Sequence, residues 1–298
     1  MTSLAASCPV NREKAVKDGF PTCFWYCELN GMLWVGCSRG ELMTYDVKTH
    51  SRLFRNSNVH DSRVLTLTGV IRNEKGGPLA VPVVYSVDEL LMVGVWDVRT
   101  GDPIRTIRKS QSLISLAKVF VGDDFMTPIS SGEADEQKQG FHRSDVVVLF
   151  SSPTDENTCN LCVWNISSGK RESLAEMKWL IKEIMVIEEK SLWGVGRRGL
   201  LFSFDLPTKR IRKEWRGHSD MTVNDLCLVS NDPRKCHWKG HHVWTCGDDG
   251  KVWVWNYGSM NLLDTLDTTT EERSSNSCLQ CLTFADSKVN SSVTVCLR

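Results

Sequence analysis

The sequence predicts an all-β protein assembled from repeated antiparallel hairpins, and three observations carry that prediction. The first is the stretch 217–256. There a strand-like run, His242-Val243-Trp244-Thr245-Cys246, meets the turn Gly247-Asp248-Asp249-Gly250 and a second alternating run, Lys251-Val252-Trp253-Val254-Trp255. Asp-Gly supplies the positive φ that a short hairpin connection needs. The second is a recurring strand ending: Tyr45-Asp46, Trp96-Asp97, Trp164-Asn165, Phe204-Asp205 and Trp255-Asn256, each followed by a polar turn. The third is register. Val35, Gly194 and Thr245 each stand ten positions before one of these anchors, and each is followed five positions on by glycine, Gly40, Gly199 or Gly250. A tight turn selects glycine there. No long segment has convincing helical periodicity; 174–187 comes nearest, and the repeat register assigns it to the start of a module.

These residues resemble WD repeats. The resemblance covers about residues 22–298, with its best match at 217–256 and degenerate repeats elsewhere. It implies an all-β fold, a β-propeller of four-stranded antiparallel blades: five recognisable blades at about 22–58, 59–109, 113–175, 177–215 and 216–267, and a partial sixth at 277–298. The polar, aperiodic residues 1–21 are expected to form a flexible N-terminal arm. The anchors lie 51, 68, 40 and 51 residues apart, against about 40–45 per blade, so most blades must carry inserted loops. The sixth holds two strands, 277–284 and 291–297. A closed propeller shares its last sheet between both termini, so the reading favours an incomplete part of a seven-bladed propeller over undetected blades. Its raw edges would then be covered by additional blades or another chain.

The resemblance also implies a buried polar network of acid, histidine, hydroxyl and indole. His218, Thr245, Asp249 and Trp255 fill it completely. The second repeat offers His60, Ser86 and Trp96, but its turn, Val87-Asp88-Glu89, places the acid out of register. In the first and fourth repeats the acid position is Arg39 or Arg198 and the anchor is Tyr45 or Phe204. Apolar packing is expected to hold those blades. His218, with no nucleophile or metal partner beside it, reads as structural.

Composition bounds the function. A chain of 298 residues with 41% hydrophobic content buries a substantial core. Lys plus Arg and Asp plus Glu both number 36, so no global field favours direct nucleic-acid binding or an anionic membrane. The longest apolar run, 79–87, falls short of the roughly 18 residues that span a bilayer, and the N-terminus lacks a signal-peptide pattern. A soluble, cytoplasmic chain is expected. The twelve cysteines are scattered, most in strand-like runs, and read as reduced thiols; Cys227 and Cys246 suit small core positions. Cys159 and Cys162, like Cys278 and Cys281, stand at CxxC spacing, but residues i and i+3 of a strand face opposite sides. Cys236, His237, His241 and His242 are the most ligand-like cluster, yet they crowd one loop without a second knuckle. No metal and no cofactor are expected.

Where insertions fall is the clearest functional pointer. First-to-second strand connections vary widely (72–80, 122–144, 188–190, 230–241), and insertions on one face of a repeat protein often mark its binding face. The loop 122–144 is acidic, with Asp123, Asp124, Glu133, Asp135 and Glu136. The loop 230–241 is basic and aromatic: Arg234, Lys235, His237, Trp238, Lys239 and His241, the composition of an interface anchor. On the other rim Arg39, Arg197 and Arg198 stand where WD repeats prefer acid, and arginine there suits a carboxylate or phosphate. There is no Gly-rich phosphate loop, nucleophile elbow, HExxH or placed carboxylate pair. The expectation is a non-catalytic protein-interaction scaffold, not an enzyme, that binds other proteins through loops and rims. The alternative comes from the likeness of its Leu-Trp-Val-Gly blades to propellers appended to signalling enzymes (Rho exchange factors, Roco-family kinases, inositol polyphosphate 5-phosphatases). It is a regulatory or localising module of a longer chain.

Overall fold

The computed structural model describes residues 19–27, 30–57, 59–72, 81–108, 113–121, 146–187, 191–230, 240–267, 279–286 and 291–297. The arm 1–18, the acidic loop 122–144 and the basic loop residues 231–239 lie outside them. The chain divides into two compact units, Met1–Val119 and Phe120–Arg298.

In the first unit, β1 (Pro21–Cys27), β2 (Met32–Cys37), β3 (Leu42–Asp46) and β4 (Ser51–Asn56) form one sheet in sequence order. A second sheet follows with β5 (Val64–Arg72), β6 (Val81–Asp88), β7 (Met92–Asp97) and β8 (Pro103–Arg108). The third sheet contains β9 (Leu116–Val121), β10 (Val146–Pro153), β11 (Cys159–Asn165) and β12 (Arg171–Met177); the division between the units falls within β9. The second unit continues with β13 (Ile181–Ile187), β14 (Ser191–Gly196), β15 (Leu200–Asp205) and β16 (Arg210–Arg216). Then come β17 (Val223–Ser230), β18 (His241–Gly247), β19 (Lys251–Asn256) and β20 (Leu262–Asp267), and finally the hairpin β21 (Leu279–Asp286) and β22 (Ser291–Leu297). All paired neighbours are antiparallel.

Exposure rises from the middle strands to the fourth strand of each four-stranded sheet, in a way the sequence dictates. Every residue of β14, Ser-Leu-Trp-Gly-Val-Gly, is buried, so this middle strand is covered on both faces and reads as a continuous small and apolar run. The fourth strands are more exposed, and β16, Arg-Ile-Arg-Lys-Glu-Trp-Arg, is also mostly charged. Such charge on an edge strand opposes edge-to-edge pairing. In the first unit β1 and β2 pack against β5, with Trp34, Leu42, Val64, Leu67 and Trp96 in the core between the sheets. In the second, β13 and β14 pack against β17, and β17 and β18 against β21. Trp193, Leu201, Val223, Val243 and Trp255 fill the core between the fourth and fifth sheets.

The recurring acid or amide has a mechanical job. Asp46 Oδ1 accepts from the backbone N–H of Lys48 and Thr49, Asp97 Oδ1 from Arg99 and Thr100, Asn165 Oδ1 from Ser168, Asp205 Oδ2 from Thr208, and Asn256 Oδ1 from Ser259. Each therefore closes the turn between the third and fourth strands by side-chain capping. The backbone bonds to Thr49 and Lys48 hold the Asp46 carboxyl below its ordinary range. Four residues after each anchor acid or amide the chain turns left-handed: His50, Gly101, Gly169, Lys209 and Met260 all have φ between 54° and 75°. A register shift follows in every third-to-fourth strand pair, beside the anchor aromatic in four of the five. Only two of these five positions are glycine, so the turn is imposed by the capping side chain and the ladder.

The hairpin glycines answer to a second constraint. Gly40 (φ +81°) and Gly199 (φ +68°) are left-handed, and a Cβ on either would lie 2.1 Å from the carbonyl oxygen of His60 or 2.2 Å from that of Gly217. The same contacts carry backbone hydrogen bonds, His60 N–H to Gly40 O at 3.3 Å and Gly217 N–H to Gly199 O at 2.9 Å. Each turn thus bonds directly to the connection leading into the next sheet.

Three boundaries differ from expectation. Phe20 and Pro21 do not belong to an arm: Ser38 N–H donates to Phe20 O at 2.9 Å, Phe20 N–H donates to Ser38 Oγ at 3.1 Å, and Pro21 pairs with Cys37. The third sheet runs past 175, because Met177 is buried and pairs with Cys159. The first strand of the last hairpin spans Leu279–Asp286, two residues later than expected. The segment 174–187 forms the end of β12 and all of β13.

Replacing Gly199 with Ala adds a Cβ to a left-handed residue with no space to receive it. The expected loss is about 2 kcal/mol or more in urea unfolding. His50→Gly, which relieves a left-handed side chain on an exposed turn, is expected to raise stability by up to about 1 kcal/mol.

Candidate functional site

Two kinds of polar constellation are present, one buried within sheets and one on the surface of the second unit. The buried one in the fifth sheet begins at Trp255, whose Nε1–H donates to Thr245 Oγ1 at 2.9 Å. Thr245 Oγ1 lies 2.8 Å from His218 Nε2, and His218 Nδ1 lies 2.8 Å from Asp249 Oδ1. Since the single hydroxyl proton goes to Nε2, the ring proton sits on Nδ1 and donates to the carboxylate, and every link is satisfied in one direction. Asp249 does more than the sequence suggested: Oδ2 accepts from Trp253 Nε1 at 3.1 Å and Oδ1 from Lys251 N–H at 3.2 Å. The Trp253 ring stacks on His218, with centroids 4.9 Å apart. His218, Ser219 and Asp220 are all left-handed, with φ of 50°, 51° and 63°, which delivers the imidazole into the sheet.

The second sheet holds a related network, although its acid, Asp88, stands out of register with Asp249. Trp96 Nε1–H donates to Ser86 Oγ at 2.8 Å, and Ser86 Oγ lies 2.7 Å from His60 Nε2. His60 Nδ1 then faces Asp88 Oδ2 at 3.2 Å, with both side chains fully buried. Asp88 stands two positions after the hydroxyl residue and Asp249 four after its own. The position matching Asp88 in the fifth sheet is Gly247, where a Cβ would lie 3.0 Å from His218 Nδ1. A carboxylate at that site meets the histidine directly; glycine leaves it open for Asp249 to enter from the turn. Asp88 Oδ1 caps its own turn by accepting from Leu90 and Met92 N–H.

The fourth sheet replaces the network with rings. Gly194 occupies the hydroxyl position, and a Cβ there would lie 2.2 Å from the Phe202 ring. Trp193 meets Trp215 edge-on at 5.2 Å, and Trp215 meets Trp255 at 5.8 Å. In the first sheet Trp34 meets Phe54 edge-on at 5.1 Å. Such pairs add about 0.5–1.5 kcal/mol beyond the area they bury.

The surface constellation lies on one edge of the fourth sheet. Arg198, left-handed at φ 53° in the β14–β15 turn, places its guanidinium over the Trp179 ring, 4.6 Å from the centroid. The Arg216 guanidinium lies 5.2 Å from the same centroid and pairs with Asp220 at 3.4 Å. Arg197 and Lys178 beside them are exposed. Of the rim arginines singled out from sequence, the structure therefore brings Arg197 and Arg198 together with Trp179 and Arg216. Arg39 is exposed on the corresponding turn of the first sheet, in the other unit. Trp179 and Arg216 carried no sequence signal, since one lies in a short connection and the other at a strand end. Trp253 was visible only as an alternating strand residue.

Arg234, Lys235, His237, Trp238 and Lys239 lie outside the described residues, as does Cys236. His241 is exposed at the start of β18, and His242, next along the strand, is buried and faces the opposite side. Among the described residues no group of three or more His, Cys, Asp or Glu could hold a metal ion. Seven described cysteines, 23, 27, 37, 159, 162, 227 and 246, are in no disulfide. Burial raises the Cys23 thiol from 9.0 to about 11 and the Cys227 thiol to about 12, and raises Cys159 as well. At neutral pH these three are protonated, poor nucleophiles. Among the described residues no helix is long and apolar enough to cross a membrane.

No family model and no curated protein matches the sequence. Among solved structures the chain is similar to the crystal structure of RRP9 WD40 repeats. The TM-score is 0.58 at 13% identity, covering 88% of this chain and 69% of that one. At that identity the likeness defines the fold: a WD40-type, propeller-like all-β fold built on four-stranded antiparallel sheets.

Thr245→Val orphans both the indole and the imidazole and is expected to lower stability by about 2–4 kcal/mol. Thr245→Ser, which keeps the hydroxyl, is expected to lose only about 1 kcal/mol. Urea unfolding of the pair checks this. Raised thiols fix a second expectation. Between pH 9 and about 11 the unfolded chain releases protons that folded Cys23 and Cys227 keep, so stability falls as pH rises. The Cys23→Ser, Cys227→Ser double variant is expected to show a flatter decline of its urea midpoint over that window.

Proposed function

We propose that the chain is a non-catalytic platform that binds other proteins through its rims and loops. The observation that carries this reading is the fate of its acid–base residues. His60, Ser86 and Asp88, like His218 and Thr245, are buried; the two hydroxyls bond the imidazoles and indoles, and the Asp88 carboxylate caps its own turn 3.2 Å from His60. A hydroxyl already bonded to an indole and an imidazole, with no path to solvent, has no substrate to attack. What remains for recognition is the exposed cations at the edge of the fourth sheet, joined by the basic, aromatic sequence 234–241 as a candidate. The WD40-type fold supports the same reading by analogy, since its four-stranded units present loops on a stiff scaffold. The cysteines in no disulfide support a reducing, cytoplasmic setting.

A pull-down from cell extract with crosslinking is expected to recover protein partners attached at rim or loop residues. Trp238→Ala, or deletion of 122–144, is expected to remove at least one of them. An identical partner set in both variants rules out those loops as the binding face. Turnover of phosphoinositides or nucleotides by the purified chain overturns the non-catalytic assignment.

A further inference from the structure

The Trp179 constellation is an unusual arrangement of charge. Two guanidiniums lie against one half-buried indole, Lys178 and Arg197 are exposed beside them, and the neighbouring carboxylate is Asp220, itself 66% exposed. Lys178, Arg197, Arg198 and Arg216 are four exposed cations on a chain whose formal net charge is +0. Two guanidiniums carry about ten N–H donors. Among the described residues the Arg216 bond to Asp220 at 3.4 Å engages one, and Arg198 makes no ion pair. A guanidinium that stacks on a ring through its face keeps its in-plane N–H fork for a carboxylate on two parallel bonds.

The three segments that build the cluster are fixed by backbone rather than by flexible side chains. Arg197 N–H donates to Leu180 O at 3.0 Å, Gly217 N–H to Gly199 O at 2.9 Å, and Leu200 pairs with Arg216. Gly196 approaches so closely that a Cβ would lie 2.3 Å from Leu180 O. A site held this way loses little entropy when it is occupied.

We propose that this edge of the second unit is a recognition site for an acidic peptide segment of a partner protein. Arg198 and Arg216 bind its carboxylates, and the Trp179 ring packs on the intervening side-chain methylenes. The inference rests on the platform reading above and names the chemistry of one partner. Charge favours a peptide over the larger polyanions. Four cations release few counterions from a nucleic acid, and a single aromatic offers little stacking for its bases. The net-neutral chain provides no field toward an anionic membrane.

The test titrates the full chain into a fluorescein-labelled twelve-residue peptide of alternating Glu and Ala, with a Lys-Ala peptide as control, and reads anisotropy. The Glu peptide is expected to bind and the Lys peptide not. Arg198→Glu and Trp179→Ala are each expected to weaken binding roughly tenfold or more, Arg198→Lys by a smaller factor, and 0.5 M salt in the same direction. Urea midpoints check folding. Should Trp179→Ala unfold, Arg198→Glu and Arg216→Glu decide. Equal affinity in folded variants overturns the proposal, as does binding of phosphatidylserine vesicles or single-stranded RNA in preference to the peptide. If wild type and Arg198→Glu capture the same partners, this site falls and the platform stands. If wild type captures no protein, the platform itself falls.

Discussion

The hydrogen bond from Gly217 N–H to Gly199 O is the contact on which the second unit turns. It exists because Gly199 carries no Cβ, which would lie 2.2 Å from Gly217 O, and because Gly199 can hold a left-handed conformation. On one side of it the chain continues into His218 and seats the imidazole in the fifth sheet. On the other side it holds the turn that lays Arg198 on Trp179 and the strand end that brings Arg216 to the same ring. One backbone approach therefore sets both the scaffold network and the exposed cationic edge. The first unit repeats the device with Gly40 and His60, so stiffness between sheets comes from main chain meeting main chain, with side chains filling what is left.

The two histidine networks show that a buried histidine constrains its surroundings without dictating a residue pattern. Both sheets supply an indole donor, a hydroxyl relay and an imidazole at matching places. The carboxylate arrives from the strand end in one case and from the turn in the other, and glycine at the alternative position makes the second route open. The fourth sheet abandons the network altogether: with Gly194 where the hydroxyl would be, the Phe202 ring lies across it. Polar relay and aromatic packing are thus interchangeable solutions to the same problem of filling a strand covered on both faces.

Much of the fold was legible in the sequence, because the anchors are local. An acid or amide that caps its own turn two or three residues later leaves a signature in adjacent positions, and three hairpins share a gap-free register. His218, Thr245, Asp249 and Trp255 could be placed by mapping the WD-repeat resemblance onto the fifth repeat. Asp88 could not, since its alignment partner is glycine and only three-dimensional proximity to His60 reveals the equivalence. Trp179 and Arg216 were also invisible: nothing periodic marks a tryptophan in a three-residue connection, and its ring neighbours, Arg198 in a turn and Arg216 at a strand end, stand 19 and 37 positions away. The boundaries moved where single bonds decide them, at Phe20 against Ser38 and at Met177 against Cys159.

Each compact unit contains one whole histidine relay, with His60, Ser86, Asp88 and Trp96 in the first and His218, Thr245, Asp249 and Trp255 in the second. No member of either set is borrowed from the other half of the chain. A ribosome that has released little more than the first unit has already delivered every group its relay requires. Vectorial synthesis can thus lock the N-terminal sheets before the C-terminal ones exist, and the nascent chain need not keep a half-built polar core exposed while waiting for distant sequence.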